Sequence, residues 1–275
     1  MNVDMHVHSA HSDGVQSPGK LVEMAAESRL SAISLTDHDS LEGVAECIAE
    51  AEKRGLEAIS GVELSAELDD RDFHILGYGI DPKDEKLQNM LGQFRETRIK
   101  RGYKILEKLH AAGISLDAEQ VMAVSPDGAL GRPHIAKALF KNGFVKTYQE
   151  AFDRFLADGG PAYVKKFKLD PGEAVDYIHA AGGLAFVAHP GTFIRNIGEL
   201  VEILAMGFDG IEVAHPNHSN SQRAEFETLA AEHNVLASGG SDYHGFTGKD
   251  TPIGKLEVPY RYFESIKERL QEINT

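Results

Sequence analysis

Short apolar runs recur along this 275-residue chain, and one after another they end in histidine or carboxylate. Run 3–8 closes on His6-Val7-His8, and run 32–36 leads into Asp37-His38-Asp39. Run 58–64 carries Glu63, and 73–80 opens near His74. Run 184–188 meets His189-Pro190, 210–214 precedes His215, and 235–238 precedes Ser241-Asp242-Tyr243-His244. Near-continuous apolar runs of this length read as strands buried on both faces. Helix signals stand between them. Ser17 before Pro18, Asp39 three residues before Glu42, and Asp170 before Pro171 and Glu173 have the form of N-terminal caps; Gly55 and Gly182 read as stops. The alternation predicts a parallel barrel or an open doubly wound sheet. Asp69-Asp70-Arg71 reads as a turn, so the strands on either side of it are expected to pair antiparallel.

A lone histidine is usually a satisfied core or surface residue. Six imidazoles and three carboxylates at successive strand ends resist that reading, because unpaired buried charges are costly and divalent cations offset them. Strand alternation places His6 and His8 on one face. In a parallel barrel the strand ends converge on one mouth. Imidazole and carboxylate without thiolate suit Zn, Mn or Fe, and lack the cysteines of the usual closed structural zinc site. The single cysteine, Cys47, excludes an internal disulfide and fits a reducing compartment. With no basic leader before an apolar stretch, a cytoplasmic location is expected. No run is long enough to suggest a membrane span. His11, His110, His179 and His233 fall in helical or loop context and are expected to face solvent.

The formal net charge is −15, which argues against stable binding to duplex nucleic acid. The charge is uneven. Residues 83–168 hold 16 Lys/Arg against 10 Asp/Glu, and the remainder 12 against 33. Apolar periodicity over 91–109 and 135–140 marks this basic segment as almost entirely helical. We read it as a helical insertion, a substrate cap over 83–168, set into a core of 1–82 and 169–275.

In their order along the chain, His6-x-His8, Thr36-Asp37-His38-Asp39, Gly61-Val62-Glu63 with His74, Ala188-His189-Pro190 and Ser241-Asp242-Tyr243-His244 resemble the PHP (polymerase and histidinol phosphatase) family of metal-dependent phosphoesterases. The resemblance implies an α/β fold, a distorted (β/α)7 barrel with the helical insertion, and two to three divalent ions drawn from Mn, Fe, Zn or Mg. It also implies a ligand set: His6, His8, Glu63 and Asp242 for one ion, with Glu63 bridging to a second held by His74 and His189. Asp13, His38 and His244 would hold a third.

The nearer likeness is to members that remove the 3′-phosphate of nucleoside 3′,5′-bisphosphates or trim short RNA from its 5′ end. Arg132 and His134, in Gly131-Arg132-Pro133-His134, match that subgroup's phosphate-binding pair, and His218 its substrate-side histidine. Lys165 and Lys166 add positive charge nearby in sequence. The expected function is hydrolysis of a phosphate monoester of a small nucleotide by hydroxide activated at the metals, foremost the 3′-phosphate of a nucleoside 3′,5′-bisphosphate. Glu63 and Asp242 would be catalytic through the ions they hold, and His218 a candidate proton donor to the leaving oxygen. The partners implied are small phosphorylated substrates, nucleotides or short oligonucleotides. A 5′-3′ exoribonuclease, a histidinol-phosphate phosphatase and a non-catalytic metal-binding module are the alternatives. The cationic amine of histidinol phosphate is a poor match to a basic insertion, and nine filled ligand positions argue against the last.

Overall fold

Capped amphipathic stretches alternating with apolar runs produce a mixed α/β fold. A computed structural model describes residues 1–125, 130–246, 248 and 250–274. The chain divides into two compact units, Met1–Asn89 with Lys168–Thr275, and Met90–Phe167.

In the first unit, β1 (Val3–Val7), β2 (Ala32–Leu35) and β3 (Glu57–Ala58) form a parallel sheet. A second sheet runs in the order β4 (Gly61–Leu68), β5 (Arg71–Tyr78), β6 (Leu184–Val187), β7 (Gly210–Ala214) and β8 (Leu236–Gly239). Strands β6 to β8 pair parallel, and β5 pairs antiparallel with both β4 and β6. The β4–β5 turn is a two-residue one, with Leu68 opposite Arg71 and both Asp69 and Asp70 at positive φ. That is the backbone a tight hairpin needs, and aspartate is among the residues that tolerate it. Among the described residues the pairing makes two sheets rather than one closed barrel. Isolated parallel bridges, Val7 with Tyr243 and His38 with Glu63, join the sheets at strand ends.

Two local expectations change. Run 58–64 is not one strand: the chain leaves β3 after Ala58 and re-enters the other sheet at Gly61. Asp39 caps no helix. The helix α2 (Val44–Arg54) begins after Gly43, while Asp39 sits at φ 51° and accepts from the N–H and Oγ of Ser65 at 2.8 and 2.9 Å. A buried carboxylate with two donors from another strand outcompetes a local cap. The other signals act as read: Ser17 accepts from Lys20 N at the start of α1 (Pro18–Glu27), and Gly55 ends α2 in the left-handed conformation. Helices α1 and α2 pack Leu21, Val22, Ala25, Cys47 and Ala51 against Ile33 and Leu35 of β2. Each large apolar side chain fully buried this way contributes about 1.5–3 kcal/mol.

The second unit is helical. The long α3 (Glu85–Ala111) runs into it, followed by α4 (Ala118–Met122), α5 (Arg132–Lys141), α6 (Tyr148–Ala151) and a π-helical turn, Phe152–Leu156. Its own core includes Ile105, Leu109, Leu116, Ile135, Leu139 and Leu156. The first unit continues with α7 (Pro171–Ala180), α8 (Ile197–Leu204), α9 (Asn220–Glu232) and α10 (Tyr260–Ile273). Among the described residues no helix is long and apolar enough to cross a membrane.

Candidate metal centre

The ends of the parallel strands β1, β2, β6 and β8, together with the antiparallel pair β4–β5, bring their polar residues to one end of the first unit. His6 lies on β1, and His8 follows it on the same face. Both rings are fully buried. Glu63 on β4 is buried at their side, its Oε2 3.3 Å from Nε2 of each. Asp242 comes from the turn after β8 and places Oδ1 3.4 Å from His6 Nε2 and 3.2 Å from His8 Nε2. Its backbone is at φ 51°, a left-handed conformation that costs a non-glycine residue about 1–3 kcal/mol. Gly240 makes the approach feasible, since a β-carbon there would stand 2.3 Å from His6 N.

Three donor sets result, each with ligating atoms within 4.8 Å of one another: His6, His8, Glu63 and Asp242; His8, Asp13, His38 and His244; and His38, Glu63 and His74. The side chains singled out as ligands therefore gather in one cluster; the first set is the expected one, and the other two are divided differently. His38 Nδ1 is 3.1 Å from Glu63 Oε2 and so belongs to two sets, as does His8. His189 is adjacent, its Nε2 3.0 Å from Glu63 Oε1 and 3.3 Å from His74 Nδ1.

Two observations test whether cations fit here. First, His6 Nε2, both ring nitrogens of His8 and Glu63 Oε2 are buried without a hydrogen-bond partner. Buried polar atoms in that state are costly unless something else binds them. Second, burial would raise Glu63 and Asp242, yet neighbouring imidazoles hold both well below the usual carboxylate range, so both stay anionic. Buried lone pairs beside anionic oxygens fit divalent cations.

Around this cluster stand further polar residues, of which the sequence reading passed over Glu212. Glu212 on β7 is buried, with Oε1 2.8 Å from His6 Nδ1 and Oε2 accepting the His189 N–H at 2.6 Å. A single charge inside the apolar run Gly210–Ala214 was the available signal. His215 accepts from Asn217 N–H at Nδ1, which leaves the proton on Nε2, 3.3 Å from Asp242 Oδ2. Asp37 accepts from Ser9 N and Oγ and from Ser12 Oγ at 2.7, 2.6 and 2.5 Å, tying down the loop that presents Asp13.

His218, the candidate proton donor, has both ring nitrogens engaged by backbone groups. Its Nδ1 donates to the Val213 carbonyl at 2.9 Å, and its Nε2 accepts the Gly191 N–H at 3.1 Å. Burial lowers its pKa, so the ring is neutral and neither nitrogen is free. In the helical unit, Arg132 and His134 occupy the first turn of α5, half-buried. Arg132 Nη1 lies 3.6 Å from Asp158 Oδ1, and the guanidinium lies 5.9 Å from the Tyr163 ring centre. Lys165 is exposed and Lys166 half-buried in the coil that follows.

A PHP-domain family model matches residues 4–161. The 3′,5′-nucleoside bisphosphate phosphatase of Chromobacterium violaceum is 36% identical over 266 residues, covering 93% of this chain and 92% of that protein. A 5′-3′ exoribonuclease of Haemophilus influenzae is 36% identical over 261 residues, with 93% and 92% covered. The crystal structure of a Bifidobacterium adolescentis protein assigned as a metal-dependent phosphoesterase superposes with a TM-score of 0.86 at 29% identity, over 97% of this chain and 96% of that one. A family match over more than half the sequence, relatives along nearly all of it and a cluster suited to cations lead to one conclusion: the chain belongs to the PHP-domain family of metal-dependent phosphoesterases.

Proposed function

We propose that this protein removes the 3′-phosphate of a nucleoside 3′,5′-bisphosphate at a centre of two to three divalent ions, Mn, Fe or Zn, with Mg an alternative. The observation that carries the reading is Glu63. Its Oε2 faces His6, His8 and His38, while its Oε1 lies 2.9 Å from His74 Nδ1 and 3.0 Å from His189 Nε2. One carboxylate with an oxygen toward each of two imidazole groups is the arrangement a bridging ligand requires. Divalent ions, when bound, draw in phosphate oxygens, lower the pKa of water toward about 7 and offset charge on the leaving oxygen.

The chain's own groups do the rest. His6, His8 and Asp242 would hold one ion, Asp13, His38 and His244 another, and His74 and His189 would share Glu63. His215, protonated at Nε2, holds the outer oxygen of Asp242 and leaves Oδ1 to the cluster. The substrate's second phosphate is assigned to Arg132 and His134, with Lys165 and Lys166 contributing charge. A guanidinium is suited to phosphate through its forked donors. The substrate cap over 83–168 and a distorted (β/α)7 barrel complete the proposal; the Val7–Tyr243 and His38–Glu63 bridges between the two sheets support the barrel.

The Haemophilus influenzae relative supports a second reading, 5′-3′ removal of nucleotides from short RNA. Phosphate and nucleotide release with added Mn²⁺ separates the two, using 3′,5′-bisphosphonucleotides, 3′-mononucleotides and 5′-phosphorylated short RNA. Inorganic phosphate from the bisphosphate is the expected product. Nucleotide monophosphates from RNA with an inert bisphosphate would overturn the first reading in favour of the second.

A further inference from the structure

Glu212, a buried acid of the first unit, belongs to none of the three donor sets. Its two oxygens serve two elements far apart in sequence, the His6 ring on β1 and the His189 backbone after β6. His189 is held at φ 29°, ψ 53°. A non-glycine residue keeps such a conformation only when its surroundings over-determine it. An ionised carboxylate accepts and cannot donate. Facing Glu212 Oε1 at 2.8 Å, Nδ1 of His6 is therefore the protonated nitrogen. The lone pair then falls on Nε2, a buried atom without a hydrogen-bond partner that lies 3.3 Å from Glu63 Oε2 and 3.4 Å from Asp242 Oδ1.

We propose that Glu212 is a positioning residue of the metal centre: it locks His6 in the Nδ1–H tautomer so that Nε2 ligates, and with its other oxygen holds the His189 turn. The inference rests on the metal-binding reading above. A neutral amide cannot take its place, because glutamine has one accepting end and one donating end. With the amide oxygen on the His189 N–H, its NH2 makes Nδ1 of His6 an acceptor and sends the proton to Nε2, where it blocks the metal. Turned over, its NH2 meets the His189 N–H donor to donor. Aspartate keeps the charge and both acceptors on a shorter arm, so Glu212→Asp retains more metal affinity than Glu212→Gln.

The test is calorimetric titration of metal-stripped wild type, Glu212→Gln and Glu212→Asp with Zn²⁺ and with Mn²⁺, alongside thermal unfolding of the metal-free proteins. Groups that orient a metal-bound imidazole are worth roughly 10- to 100-fold in affinity. That loss is expected in Glu212→Gln for the ion held by His6, while the ion held by Asp13, His38 and His244, which Glu212 does not touch, binds as in wild type. Equal affinities in wild type and Glu212→Gln overturn the role of Glu212 and leave the metal reading standing. A wild type that binds neither ion overturns both. Should the variants not fold, wild type alone decides: ¹⁵N-histidine spectra of the Zn²⁺-loaded protein are expected to show His6 with its proton on Nδ1, and a proton on Nε2 overturns the proposal.

Discussion

Gly191 donates its backbone N–H to Nε2 of His218 at 3.1 Å, so the ring accepts where a proton donor would have to give. The contact needs glycine, because a β-carbon at 191 would lie 2.6 Å from His218 Cδ2. With Nδ1 donating to Val213, the ring ties the turn after β6 to the end of β7. His218→Ala is expected to cost about 1–3 kcal/mol by leaving two buried backbone groups unmet. The shape of its kcat–pH profile should match wild type. Denaturant unfolding and pH–rate profiles check this, and loss of one limb of the profile would return His218 to the chemistry.

Glu63→Gln removes the charge shared by two imidazole groups. Turnover of a 3′,5′-bisphosphonucleotide should fall at least about 100-fold, the scale of losing a major electrostatic stabiliser. Metal content should fall with it. Phosphate-release kinetics and elemental analysis of the same sample provide the measurement; near-normal turnover takes Glu63 out of the centre.

Undialysed protein is expected to carry two to three divalent ions per chain. Chelation should lower Tm, since ions held at 100 times their Kd stabilise the folded state by about 2.7 kcal/mol. Elemental analysis and calorimetric unfolding with and without chelator check the pair. Less than one equivalent, with no uptake of Mn²⁺ or Zn²⁺, would contradict the metal centre.

His179, expected to face solvent, is exposed and also paired: its Nε2 lies 2.7 Å from Asp209 Oδ2, which in turn accepts the Ala185 N–H at 2.8 Å. The hydrogen bond to Asp209 raises the His179 pKa above its ordinary 6.5. A raised histidine stabilises the fold fully below the unfolded value and loses that contribution as pH climbs through the folded one. The stability gap between wild type and His179→Gln should therefore be widest below about pH 6 and close on the alkaline side, staying under about 1 kcal/mol for so exposed a pair. Urea unfolding across pH 5–9 reads it, and a gap that widens with pH would contradict the pairing.

Arg132→Ala tests substrate choice. A charge-assisted contact to a second phosphate, worth about 1.5–3 kcal/mol, corresponds to roughly a 10- to 150-fold preference in kcat/KM for the bisphosphate over the 3′-mononucleotide. The variant should lose most of that preference and keep the mononucleotide rate. Equal loss on both substrates would place Arg132 with the reacting phosphate or with the fold.

The amino-acid sequence by itself determined which residues could bind cations and roughly where the strands that carry them lie. Apolar runs and their polar ends are local, and the imidazole–carboxylate pattern is chemically distinct from any core. The Asp69-Asp70 hairpin was legible for the same reason, because its backbone demand falls on two adjacent residues. Tertiary structure alone decided how each polar group is used. Asp39 looked like a helix cap until Ser65 took its oxygens, and His218 looked like a donor until Gly191 and Val213 claimed its nitrogens. Run 58–64 looked like one strand until two sheets divided it. Glu212 drew no reading at all, its partner His6 lying 206 residues away. Hydrogen-bond partners compete by geometry, and for buried groups the winning partner arrives from a distant segment that no local pattern encodes.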